Sequence, residues 1–300
     1  MKQFSTLFVI LAFLTVYSVN DAQAQRWNRY KKEVGISIGG SNTLTDLGGG
    51  PNDGSQFGDF QIENTRFAVG GFFKYRFHNR LAFKVNLIYS QVYADDKTTD
   101  NEGRSLRNLD VKTDLVEISG QLEYYFLREK MGSTYKLKGI KGYGSSNISM
   151  YLLAGIGTSY YSPKGTNLDG EWVKLAPLNT EGQGLDGAPE DYSNFTIVFP
   201  VGLGIKYNIT RQIGVQFEGG LRYTTTDYLD DASTKYYDGD QLASNFGPES
   251  KAMADKRYDL PNRHGAGGVR GHDDKKDVYM FGLLSLTYRI KSKPRSRIRL

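Results

Sequence analysis

The chain has 300 residues, a formal net charge of +5, no cysteine, and an aromatic content of 13% that includes 21 tyrosines. The lack of cysteine excludes disulfides and a thiol-linked lipid anchor. A basic balance is one mark of nucleic-acid binding, but an export signal at the N-terminus argues against that partner, and the tyrosines suit the girdles of an outer-membrane barrel.

Residues 1–24 have the three regions of a secretory signal peptide: Lys2, an apolar core from Leu7 to Val19, and Ala22-Gln23-Ala24 before the expected cut at Gln25. Cleavage removes one lysine and one aspartate, Lys2 and Asp21, so the exported chain keeps its net charge. No later apolar run is long enough for a spanning helix. Residues 25–300 read as a single domain, ending in a basic tail over 291–300.

Within that domain, alternation of apolar and polar residues places strands near 33–44, 66–77, 81–93, 114–127, 149–161, 195–208, 212–226 and 277–290. In the third, Leu81, Phe83, Val85, Leu87, Tyr89 and Tyr93 share one face, while Ala82, Lys84, Asn86 and Ser90 share the other. The expected fold is all-β, an eight-stranded antiparallel up-and-down transmembrane β-barrel with long outer loops. The connections at 78–80 and 209–211 are tight; those at 45–65, 94–113, 162–194 and 227–276 are long, polar and rich in Gly and Asp. In such barrels short turns face the periplasm, so both termini belong on that side of the outer membrane. The link 128–148 is the exception, a long segment at the periplasmic end. Residues 240–276 have little to bury and are expected to be mobile.

A lysine facing lipid at mid-membrane costs about 2–4 kcal/mol. The charged faces must therefore point inward, which puts Glu33, Lys74, Arg76, Lys84, Glu117, Glu123, Lys206, Glu218 and Arg222 in the lumen. Eight strands enclose only enough space for their own side chains, so this set reads as a self-neutralising plug in preference to a proton or ion path. Basic residues gather in three other places: Arg26, Arg29, Lys31 and Lys32 before the first strand, Arg128, Lys130, Lys136, Lys138 and Lys141 in the long periplasmic link, and Lys291, Lys293, Arg295, Arg297 and Arg299 at the end. All three converge on the periplasmic rim. Such a collar can steer an acidic partner, contact inner-leaflet phosphates, or simply fix topology.

The clustered carboxylates Asp227, Asp230, Asp231, Asp238 and Asp240 are a candidate calcium loop, but their spacing matches no strong motif and aspartates also close turns. Catalysis finds little footing. His78 sits in a turn, His264 and His272 lie in a Gly-rich loop, and Glu117 and Glu123 are separated by about 20 Å along one strand. The loop glycines lack the strand, helix and lysine of a phosphate cradle. No enzyme activity, metal or cofactor is expected.

Several segments together, EVGISIGGSNTLTDLGG from Glu33, NRLAFKVNLIYSQVYADD from Asn79, RNLDVKTDLVEISGQLEYYF from Arg107, YLLAGIGTSYYSPKG from Tyr151, LAPLNTEGQG from Leu175 and TDYLDDASTKYYD from Thr226, resemble the PorG-like outer-membrane barrels of the type IX secretion system. The resemblance spans nearly the whole exported chain. It implies a non-enzymatic scaffold in protein secretion that anchors a periplasmic ring built from a PorK-like lipoprotein and a PorN-like subunit. The alternative is a stand-alone barrel for envelope integrity, adhesion or passage of small apolar molecules, with outer-membrane lipids as its surroundings in either case.

Overall fold

The computed structural model describes residues 30–45, 47, 61–99, 102–129, 147–257, 266–271 and 276–292. Eight strands form the staves of a closed barrel: β1 (Lys32–Leu44), β2 (Arg66–Arg76), β3 (Leu81–Asp95), β4 (Asp110–Leu127), β5 (Ile148–Thr166), β7 (Phe195–Asn208), β8 (Ile213–Thr224) and β9 (Val278–Ile290). Each pairs antiparallel with its chain neighbour, and β9 returns to β1, with Lys32 opposite Ile290 and Leu44 opposite Val278, so no edge is left open. The fold class read from the alternation is the one observed. A short strand, β6 (Trp172–Lys174), adds to the end of β5 outside the barrel proper, and a short helix, α1 (Glu102–Arg107), lies between β3 and β4.

The register makes polarity alternate with the pleat. On β3, Ala82, Lys84, Asn86 and Ser90 are buried while Phe83, Val85, Leu87 and Tyr89 are exposed. The same inversion recurs around the wall, where Ile36, Ile118, Leu152, Leu203, Phe217 and Leu286 all face outward. An apolar band that encircles the whole molecule far exceeds the patches a water-exposed surface carries. Its natural solvent is hydrocarbon. Among the described residues no helix is long and apolar enough to cross a membrane; the apolar band lies on the strands.

The tight turns after β2 and β7 lie at one end, together with the start of β1 and the finish of β9. In the first, His78 and Leu81 exchange backbone hydrogen bonds of 3.2 and 3.3 Å; in the second, the Thr210 hydroxyl accepts from the backbone N–H of Gln212 and Ile213. The long loops gather at the opposite end.

Two expectations need correction there. β4 and β5 run beyond their expected limits, to Asp110 and Thr166, because they continue to pair above the apolar band, where outward positions become polar and the alternation fades. Much of 240–276, expected to be mobile, is instead structured: residues 239–246 and 248–254 form helices α2 (Gly239–Phe246) and α3 (Pro248–Ala254), and Arg270 is completely enclosed. Asp238 caps α2 by accepting from the N–H groups of Asp240 and Gln241. Residues 258–265 and 272–275 lie outside the described residues.

Because Leu203 sits on the outward face in the middle of β7, replacement by arginine is expected to destabilise the barrel by about 2–4 kcal/mol in a bilayer. Urea unfolding of vesicle-reconstituted protein measures this.

Candidate functional site

Inside the barrel the charged side chains form three tiers. Near the tight-turn end, Glu33 pairs with Lys206, with Arg289 at 3.2 Å and with Lys74 at 3.7 Å. Beside it Glu129, just past the end of β4, accepts from Arg76 at 3.1 Å, Arg289 at 2.7 Å, Ser149 at 2.9 Å and Asn208 at 2.7 Å. In the middle tier Glu123 lies 2.9 Å from Lys74 and 3.4 Å from Lys84, and Lys84 also pairs with Glu218. Tyr125 donates to Glu123 at 2.7 Å and Tyr151 donates to Glu218 at 2.8 Å.

Tyr151 can occupy the lumen there because the residue opposite is Gly204: a Cβ at 204 would fall 2.2 Å from the ring. In the third tier Glu117 receives Tyr279 at 2.9 Å and lies 3.5 Å from Arg222, whose guanidinium rests 4.7 Å from the centre of the Phe281 ring.

All nine residues assigned to the lumen from sequence lie within this interior, with Arg76 the most accessible of them. Two partners were missed. Arg289 follows Leu283, Ser285 and Thr287 on the inward face of β9 and was readable by parity. Glu129 stands beyond its strand, where parity no longer applies.

Around Glu129 burial disfavours the ionised form, but the guanidinium groups of Arg76 and Arg289 outweigh it and hold the carboxyl well below the usual carboxylate range. The lumen itself is filled. A void beside Lys84, Asn86 and Glu218 measures about 10 Å³, the scale of one water molecule.

Above the third tier the bore is sealed by apolar side chains. Leu229, from the loop after β8, packs among Ala68, Val92, Leu115, Val198 and Phe281. Its backbone is pinned: Thr113 donates to its carbonyl at 2.5 Å, and its N–H donates to Asp277 at 2.8 Å. Over it Tyr161, Tyr192 and Tyr228 stack with nearly parallel rings, the latter pair at 4.4 Å.

The long loops then build a cap around Arg270. This buried guanidinium lies 3.0 Å from Glu181 and 3.4 Å from Asp231, and also donates to the carbonyl groups of Asp231 and Ala254. Glu181 accepts from the backbone of Ser233 and Thr234, while Asp231 accepts from Thr180 and Tyr192, both at 2.5 Å. Burial nonetheless pushes the Asp231 carboxyl above its ordinary value.

A second apolar core, including Leu47, Leu109, Val111, Leu175 and Met253, supports the cap from beside. On its surface a cleft of about 870 Å³ opens between Glu181, Pro189, Lys235, Tyr237, Asp238 and Gln241.

The five aspartates weighed as a calcium loop are divided among separate tasks. Asp227 receives Ser233, Asp230 receives the N–H of Ala232, Asp231 belongs to the Arg270 cluster, Asp238 caps α2, and Asp240 pairs with Lys251 at 2.6 Å. Among the described residues no group of three or more metal-ligating side chains comes together.

Of the basic collar, Lys31 and Lys32 precede or open β1, Arg128 follows β4 and Lys291 follows β9, all at the tight-turn end. Arg26, Arg29, Lys130, Lys136, Lys138, Lys141, Lys293, Arg295, Arg297 and Arg299 lie outside the described residues, as do the segment read as a signal peptide, His264 and His272.

Substitution of Glu218 by alanine would leave buried Lys84 with only Glu123, 3.4 Å away and shared with Lys74. The expected cost is about 3–5 kcal/mol, recovered in large part by the double replacement Lys84→Met/Glu218→Met; a double-mutant cycle in urea reads both. Acid should act at Glu129. Its folded-state value is depressed, so its contribution is present above the ordinary carboxylate range and is lost as pH falls through and below that range. Glu129→Gln should lower stability at neutral pH and flatten the acid limb of the unfolding midpoint plotted against pH.

Solved barrels resemble this one in outline only. Neisserial surface protein A matches at 12% identity and a TM-score of 0.39, over 86% of this chain and 97% of its own. Ail of Yersinia pestis, in complex with the heparin analogue sucrose octasulfate, matches at 9% and 0.37 over 86% and 99%. Outer membrane protein W of E. coli matches at 14% and 0.33 over 87% and 98%. No curated protein matches in sequence. Residues 3–172 match the family described as a domain of unknown function, DUF6089, and since that span is more than half of the 300 residues, the chain belongs to this family.

Proposed function

We propose that this barrel is a non-enzymatic scaffold of the outer membrane that holds a periplasmic assembly of a type IX secretion machine through its tight-turn rim. The observation that carries this reading is the closed bore. Charges paired across three tiers, with Leu229 and its apolar neighbours above them, leave no passage for a solute, so work is done at the ends of the barrel. The outward apolar band supports a place in lipid. The loop motifs that resemble PorG-like barrels favour a secretion role, with a ring of PorK-like lipoprotein and PorN-like subunit as the partner.

The basic segments at the rim supply the chemistry of contact, a long-range attraction for acidic surfaces that salt weakens. A second reading, a stand-alone adhesion barrel, draws on the structured cap and its cleft at the other end.

Deletion separates the two readings: a scaffold predicts that secreted effectors accumulate in the periplasm, whereas an adhesin predicts intact export with altered surface binding. Replacement of Lys293, Arg295, Arg297 and Arg299 by glutamine is expected to reduce co-purification of ring subunits severalfold at low salt. Unchanged recovery would remove the tail from the docking surface.

A further inference from the structure

At the long-loop end, just above the apolar band, the outward faces of β3 to β6 carry one row of residues in direct cross-strand register. Tyr93 stands opposite Lys112, Lys112 opposite Lys164, and Lys164 opposite Lys174. Like charges placed directly opposite one another lie about 5 Å apart and destabilise a sheet. Three lysines in one row are therefore an arrangement that folding by itself disfavours.

The neighbouring carboxylates relieve it at Lys164 alone. Asp114 holds Lys164 at 2.7 Å, Asp110 is occupied by Lys256 and Thr166, and Asp95 receives Tyr93 at 2.9 Å and the N–H of Lys97 at 2.8 Å. Among the described residues, Lys112 and Lys174 make no ion pair. The Lys112 ammonium instead lies 4.2 Å from the centre of the Trp172 ring, Trp172 meets Tyr93 edge-on at 6.2 Å, and Arg66 lies 4.3 Å over Tyr93.

Height along the barrel completes the case. Two steps nearer the tight-turn end, the same outward faces carry Tyr89, Val116 and Tyr160, where the apolar band begins. Amphipathic rings and long cationic side chains at that level sit where acyl chains give way to headgroups. We propose that the row formed by Lys112, Lys164 and Lys174, flanked by Trp172 and Arg66, binds the phosphate of an anionic lipid headgroup in the leaflet at the long-loop end. The bound phosphate would relieve the repulsion within the row. The inference rests on the barrel being embedded in lipid and is independent of the docking role at the other rim.

Trp172 is a reporter within the site. The chain has two tryptophans, so Trp27→Phe leaves Trp172 alone. The full exported chain is folded into vesicles in which phosphatidylglycerol or phosphatidylcholine, brominated high in the acyl chain, is the quencher. Quenching by the phosphatidylcholine form alone reports embedding, so failure there is distinct from failure of the site.

The expected result is stronger quenching by phosphatidylglycerol at equal mole fraction. The preference should fall about five-fold per charge removed in Lys112→Gln/Lys174→Gln and survive in Lys112→Arg/Lys174→Arg. Equal quenching of the wild-type row by both lipids, or a preference unchanged in the glutamine variant, would overturn the proposal. So would abolition of the preference by inorganic phosphate at constant ionic strength, which would mark a site for soluble phosphate.

Discussion

A charge shut inside a narrow barrel has only other side chains as its solvent. The Born cost of drying a lone ammonium or carboxylate is several kcal/mol even after relaxation, and the interior of an eight-stranded cylinder offers little water to soften it. This constraint organises the structure. Glu33, Glu117, Glu123, Glu129 and Glu218 are distributed so that no inward cation is far from a carboxylate, and the tyrosines at 125, 151 and 279 donate to the same oxygens of Glu123, Glu218 and Glu117 that the cations approach. Because partners come from different strands, the pairing also fixes register. A slip of one residue on any stave would turn its apolar face inward and its charges into lipid.

The two ends of the cylinder solve different problems. At the long-loop end polar connections must be satisfied without a membrane around them, and the cap does so by folding its own small interior around Arg270. That interior is not separable from the barrel. Thr113 on β4 grips the backbone at Leu229, and Tyr161 on β5 begins the ring stack that continues into the loops. The wall, the seal and the cap are successive layers of one packed body, and this is why the reading of function rests on the rims and not on transport through the centre.

Much of this was legible in the residues. Strict alternation in β3, β7 and β8 placed both faces correctly, since the contrast between Lys84 or Glu218 and their apolar neighbours allows one register only. Legibility faded where the physics changed. Above the membrane both faces of β4 and β5 are polar or covered by the cap, so period two no longer marks the strand, and the extension to Asp110 and Thr166 went unread.

The structured segments at 240–257 and 266–271 were hidden for another reason: Arg270 meets Glu181 and Asp231 across long sequence separations, which no local composition reveals. The aspartates there looked like possible ligands because a count of carboxylates does not show which guanidinium, hydroxyl or helix end each one serves.

Glu129 has a mechanical meaning as well as an electrostatic one. It stands two residues past the end of β4, and it is tied to Arg76 on β2, Ser149 on β5, Asn208 on β7 and Arg289 on β9. Tension applied to the polypeptide beyond this point is spread at once over five of the eight staves.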